Sequence, residues 1–168
     1  MEIRLSTAAD IDRIMDVYES AKKFMRSHGN MNQWTGGYPS REVILTDIAH
    51  GSHYIGLDDD GDILMVFSFI LGEDPTYKVI EGGSWLNDKP YGTIHRIAST
   101  GFRGGMLKEC VRYCSVFADN IRVDTHADNS DMQRAIKHAG FHYCGIIYLA
   151  DGSPRIAFQK EIRRAIEF

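Results

Sequence analysis

The spacing of apolar residues along this chain changes several times, and each change marks a different element. Glu2 to Ser6 reads as a first short strand. Apolar positions then fall at Ile11, Ile14, Met15, Tyr18, Ala21 and Met25, the stripe of an amphipathic helix. Thr7 and Asp10 form a capping box before it, with Asp in place of Glu. Ser27-His28-Gly29-Asn30 stops it. A loop from Met31 to Pro39 follows, and Ser40 caps a second short helix reaching about His50. Ser52 to Leu57 and Ile63 to Leu71 flank Asp58-Asp59-Asp60-Gly61-Asp62, a hairpin signal. Glu73 to Lys89 is an irregular connection, and Gly92 to Ser99 is the next strand. A helix from Met106 buries Leu107, Cys110, Val111, Cys114, Phe117 and Ala118. Ile121 to His126 is a strand and Asn129 to Ala139 a helix. Phe141 to Leu149 and Arg155 to Glu161 close the chain as a hairpin over Asp151-Gly152-Ser153-Pro154. The order is β-α-α-β-β-β-α-β-α-β-β. It predicts a mixed α/β (α+β) domain with one mostly antiparallel sheet of about seven strands, flanked on both faces by about four helices.

Composition narrows the classes of function. At 168 residues the chain reads as a single domain over 1–168, and 43% hydrophobic residues suffice for a full core. The net charge is −4 and no basic stripe is present, which argues against a nucleic-acid partner. The longest apolar stretch, Ile63 to Leu71, suits a buried strand rather than a membrane span. The N-terminus lacks a signal peptide's apolar core. Three cysteines form no disulfide pattern, which favours the reducing cytoplasm. The acidic run at Asp58–Asp62 departs from the calcium-loop spacing, because Gly61 precedes Asp62. It is read as a plain turn, and no metal site is expected.

Ile94 to Ala118 carries the most chemistry. Strand residues up to Ser99 feed Thr100-Gly101-Phe102-Arg103-Gly104-Gly105, and a helix starts at Met106. A glycine-bearing turn at a helix start offers free backbone N–H groups and the positive helix end to an anion, so the loop suits a phosphate group. Arg103 and Lys108 add positive charge nearby.

A second segment has the spacing Asn129, Met132, Ile136, Gly140, Phe141. Together with the element order and the phosphate-type loop, it resembles the GNAT N-acetyltransferase family. Members often read N-x-x-A-x-x-x-Y-x-x-x-G-F here; Asn129, Gly140 and Phe141 fit, while Met132 and Ile136 depart. The family's cofactor loop, Q/R-x-x-G-x-G/A, aligns on Gly101 to Met106. Gly104 fits, Gly101 replaces the usual Gln or Arg, and Met106 replaces a small residue. Small residues there let backbone N–H groups approach a pyrophosphate, and the long Met106 side chain stands where it can crowd that approach. The resemblance implies an acyl-CoA N-acyltransferase-like fold with a partly splayed sheet, and acetyl-CoA as co-substrate. It assigns the pantetheine contacts to the main chain of Arg96, Ile97, Ala98 and Ser99, and the diphosphate to Gly101, Phe102, Arg103, Gly104, Gly105 and Met106. Asn129 holds the arm from across a cleft, or serves as a helix N-cap. Paired subunits are common in the family, so a homodimer is compatible with it.

Acetyl transfer to an amine requires deprotonation of the amine, stabilisation of the oxyanion and departure of the thiolate. Many relatives place a Tyr acid where this chain has Ile136, which cannot act. Tyr148, Tyr143 and Cys144 on the following strand are candidates by location. Glu73, at the end of the third strand, is a candidate base or a solvated carboxylate. His95 is a second candidate base, its side chain alternating to the opposite face from Arg96. Trp34 lines the acceptor site or anchors its loop. The expected activity is transfer of acetyl from acetyl-CoA to a primary amine of a small molecule or peptide, in a ternary complex. A non-catalytic acyl-CoA-binding sensor is the alternative.

Overall fold

Period-2 and period-3.6 stretches become strands and helices close to the expected bounds in the computed structural model, which describes residues 1–164. In chain order the elements are β1 (Glu2–Leu5), α1 (Ile11–Ser27), α2 (Arg41–Ala49), β2 (His53–Leu57), β3 (Ile63–Leu71), β4 (Gly92–Ser99), α3 (Met106–Cys114), β5 (Asn120–Thr125), α4 (Ser130–His138), β6 (His142–Tyr148) and β7 (Pro154–Glu161). The fold is the expected mixed α/β one; the described residues form four α-helices and a seven-stranded, mostly antiparallel sheet in the order β1-β2-β3-β4-β5-β7-β6. The β4–β5 pair is parallel, and its ladder runs over only Gly92 with Ile121 and Thr93 with Arg122. No described helix is long and apolar enough to cross a membrane.

The chain divides into two compact units, each made of two segments. Residues 1–70 and 94–106 form the first; residues 71–93 and, among the described residues, 107–164 form the second. In the first unit, the α1 stripe of Ile11, Ile14, Val17 and Tyr18 packs with Ile44, Ile55, Val66 and Ala98. Burying each such side chain contributes about 1.5–3 kcal/mol. Thr7 and Asp10 close the capping box ahead of α1, and Arg4 holds the Asp10 carboxylate at 2.9 Å. In the hairpin turn, the Asp58 carboxylate accepts the backbone N–H groups of Asp60 and Asp62 at 2.9 Å each. The acidic run therefore works as a turn that caps itself.

In the second unit, Tyr77, Tyr91, Ile147 and Ala157 form a core cluster. One expectation fails here. The helix read through Ala118 ends at Cys114, and Phe117 is exposed rather than buried. Tight backbone bonds from Val116 to Tyr113 and from Phe117 to Cys114 close the helix early. The ring of Phe117 then packs edge-on against Tyr113.

Candidate functional site

Two backbone bonds locate an irregularity in β4. The Gly72 N–H donates to Tyr91 and the Thr100 N–H donates to Leu64. Between these bonds the chain advances eight residues along β3 (Leu64 to Gly72) but nine along β4 (Tyr91 to Thr100). One extra residue is therefore taken up by β4, as in a β-bulge. Arg96 lies in that interval with φ 49, a left-handed conformation that costs a side-chain-bearing residue of order 1–3 kcal/mol. The simple alternation expected of His95 and Arg96 is thus interrupted at Arg96.

The surrounding residues of the first unit over-determine this kink. The Asp47 carboxylate, buried at the inner face of α2, accepts Arg96 Nε at 2.8 Å and lies 2.7 Å from its Nη2. Ser68 of β3 donates to the same carboxylate oxygen at 2.6 Å. Arg96 Nη1 donates to the Tyr38 hydroxyl at 2.9 Å. On the backbone side, the Tyr18 hydroxyl donates to the Arg96 carbonyl at 2.7 Å. His53 Nε2 lies 3.0 Å from the Tyr18 oxygen, and His53 Nδ1 lies 2.7 Å from Ser6 Oγ. Burial pushes His53 down to about 4, with Asp47 opposing, and pushes the Tyr18 hydroxyl well above its usual range. At neutral pH the imidazole is therefore uncharged and the phenol keeps its proton.

Trp34 belongs to the same neighbourhood. Its ring meets Tyr18 edge-on at 5.6 Å, its backbone is left-handed with φ 55, and Arg26 Nη2 donates to its carbonyl at 3.0 Å. It anchors the loop to α1 while staying half-buried. Of Tyr18, Tyr38, Asp47 and His53, the sequence marked only Tyr18, as one apolar position of the α1 stripe; Tyr38, Asp47 and His53 carried no signal of their own.

The loop after β4 has the form expected of an anion cradle. Gly101 and Gly105 have φ 82 and 76, and a Cβ built at Gly101, Gly104 or Gly105 would meet nothing within 4 Å. Phe102 and Arg103 are exposed, and the Gly101 N–H is bonded to Ser99 Oγ at 3.1 Å. Met106 does not crowd the loop: its side chain is buried while it opens α3. Along β4 itself, His95, Arg96 and Ile97 are half-buried, Ala98 is buried and Ser99 is exposed.

In the second unit, Glu73 lines a cavity of ≈ 330 Å³ together with Tyr77, Trp85, Asp88, Tyr91 and Arg122. The Arg122 guanidinium is sandwiched between the Trp85 and Tyr91 rings, 4.0 and 3.9 Å from their centroids. It donates to Gln159 Oε1 at 3.3 Å and to the Asn87 carbonyl at 3.0 Å. Tyr148 is exposed at the end of β6, and its hydroxyl donates to Glu81 at 2.9 Å, which raises its pKa. Cys144 is buried, and burial raises its thiol. Asn129 is the N-cap of α4, accepting the Met132 N–H at 3.0 Å. Ile136 is fully buried.

These features define an acyltransferase-like fold with a bulged strand leading into an open glycine loop, and known structures share the fold. A GNAT-family acetyltransferase from Streptococcus agalactiae is 35% identical, with a TM-score of 0.89, over 97% of this chain and 96% of its own. GNAT-family acetyltransferases from Listeria monocytogenes (17% identical, TM-score 0.70, 96% and 94% covered) and Bacillus cereus (19%, 0.63, 97% and 98%) share the fold. No family sequence model matches the chain, and no curated protein matches it. At 35% identity across nearly the full length of both chains, the protein belongs to the GNAT family of acetyltransferases.

Proposed function

We propose that the protein transfers the acetyl group of acetyl-CoA to a primary amine by direct attack in a ternary complex. The observation that carries this reading is the bulged β4 running into an open glycine loop in a chain of this family. Acetyl-CoA supplies an activated thioester whose thiolate leaves readily. The main chain of Arg96 to Ser99 holds its pantetheine arm as an added strand would be held. The backbone N–H groups from Phe102 to Met106 take the diphosphate, while Gly101, its N–H held by Ser99 Oγ, shapes the turn; the open space around the three glycines fits such a group. Asn129 supports the arm in addition to capping α4. Glu73, on the aromatic-lined cavity, accepts the proton of the acceptor amine, with His95 as the alternative base. Trp34 contributes an aromatic wall to the acceptor site. Tyr148 is the available hydroxyl for the departing thiolate, since Ile136 offers none. The cytoplasmic assignment rests on Cys110, Cys114 and Cys144, all free thiols.

A sensor that binds acyl-CoA without turnover is the second reading, favoured by the buried Ile136 and by the engagement of Tyr148 with Glu81. The test is a thermal shift with acetyl-CoA, CoA and ATP, followed by thiol release across a panel of amines. Ligand at a hundredfold excess over its Kd adds about 2.7 kcal/mol, or roughly 5–11 °C for a domain of this size. A shift with both CoA species followed by turnover supports the enzyme. A shift without turnover supports the sensor, and no shift refutes both.

A further inference from the structure

Among the described residues, Arg96 is the one side-chain-bearing strand residue held in the left-handed region, and what holds it can be traced atom by atom. A carbonyl oxygen only accepts, so the single proton of the Tyr18 hydroxyl is committed to Arg96 at 2.7 Å. The Tyr18 oxygen can therefore only accept from His53 Nε2, 3.0 Å away. That places the imidazole proton on Nε2 and leaves Nδ1 as an acceptor, which Ser6 Oγ–H fills at 2.7 Å. The three bonds run in one direction: Ser6 to His53, His53 to Tyr18, Tyr18 to the Arg96 carbonyl. Each donor is itself polarised by the bond it accepts, so the chain strengthens toward its end. Ser6, Tyr18 and His53 are all buried, which removes competition from water.

The far end of this chain is a peptide bond. In a trans peptide the carbonyl and the following N–H point in opposite directions. A bond from Tyr18 onto the Arg96 carbonyl therefore turns the Ile97 N–H away from Tyr18 and makes it a stronger donor. Asp47 and Tyr38 meanwhile pin the Arg96 side chain, so neither the backbone nor the side chain can relax the left-handed conformation.

We infer that Tyr18 and His53 are positioning residues for acyl transfer: with Ser6 they form a directed hydrogen-bond chain that locks the Arg96 kink and polarises the Arg96–Ile97 peptide toward the acyl group. The inference rests on the reading above, in which the β4 main chain carries acetyl-CoA.

The test compares Tyr18→Phe, His53→Leu and His53→Gln with the wild-type protein by steady-state kinetics and by the Ile97 amide resonance in a ¹H–¹⁵N spectrum. Tyr18→Phe and His53→Leu should lower kcat roughly three- to tenfold, the scale of one hydrogen bond, with the KM for the amine unchanged. The Ile97 amide proton should move upfield in both. His53→Gln places an N–H donor near the Nε2 position and should restore kcat to within about twofold of wild type. A purely structural role predicts lower melting temperatures in all three variants with kcat and the Ile97 resonance unmoved, and that result overturns the inference. A wild-type protein that turns over no amine overturns the acetyl-transfer reading and the positioning role with it. Wild-type turnover alongside an unaffected Tyr18→Phe overturns the positioning role alone.

Discussion

Lowering the pH should destabilise this protein in a window set by His53. The imidazole is fully buried, and burial pushes it from 6.5 down to about 4 in the folded state. In the unfolded chain it returns to about 6.5. Between those values the unfolded chain binds a proton that the folded one refuses, so stability rises with pH there and falls as the pH drops from 6.5 toward 4. At 1.36 kcal/mol per pH unit, a displacement of about two and a half units is worth about 3 kcal/mol. The assay is urea unfolding at intervals from pH 7.5 to 4, on wild type and His53→Gln, taking the difference between the two curves. The Asp10 carboxyl, held down to about 2 chiefly by Arg4, loses its contribution only below the window, as the pH falls from 3.8 through 2. Burial also lowers His126, whose effect is common to both proteins and cancels in the difference. Wild type should lose about 3 kcal/mol more than the variant across the window. Parallel curves would refute the buried, neutral imidazole. A larger loss in the variant would mean that Asp47 holds His53 in its charged form.

Three further outcomes follow from the geometry. Gly104→Glu places a carboxylate where the diphosphate should lie, but its Cβ meets nothing within 4 Å; acetyl-CoA binding by calorimetry should vanish while the melting temperature stays within a few degrees. In Gly83→Ala the new Cβ would overlap the Cys144 carbonyl oxygen, a backbone atom that cannot step aside, so destabilisation should exceed about 3 kcal/mol in a urea melt. Ile136→Tyr fills an enclosed core position; chemical denaturation should show a loss of roughly 1–3 kcal/mol, and turnover should not rise.

The sequence determined the order of the elements, the bounds of β4 and the start of α3, because periodicity and glycine placement report short-range sterics and the side that each element buries. It also determined the glycine loop, whose backbone freedom is a property of the residues themselves. Its error at Phe117 has the same origin: an apolar residue in helical phase reads as core, although the helix had already closed at Cys114. The tertiary structure alone decided that Met106 turns inward and leaves the loop open. It alone decided that β4 takes up an extra residue against β3, with Arg96 left-handed in that interval, because register belongs to a pair of strands and not to either one. Tyr18 and Arg96 lie 78 positions apart and meet at 2.7 Å only once α1 and the Ile94–Ser99 part of β4 belong to the same packed unit. Nothing in the local pattern around Ser6, Asp47 or His53 distinguishes a member of that network from any other buried polar residue. Their roles arise from long-range convergence in a water-poor interior, where each polar group must find a partner and the partner available is decided by the fold.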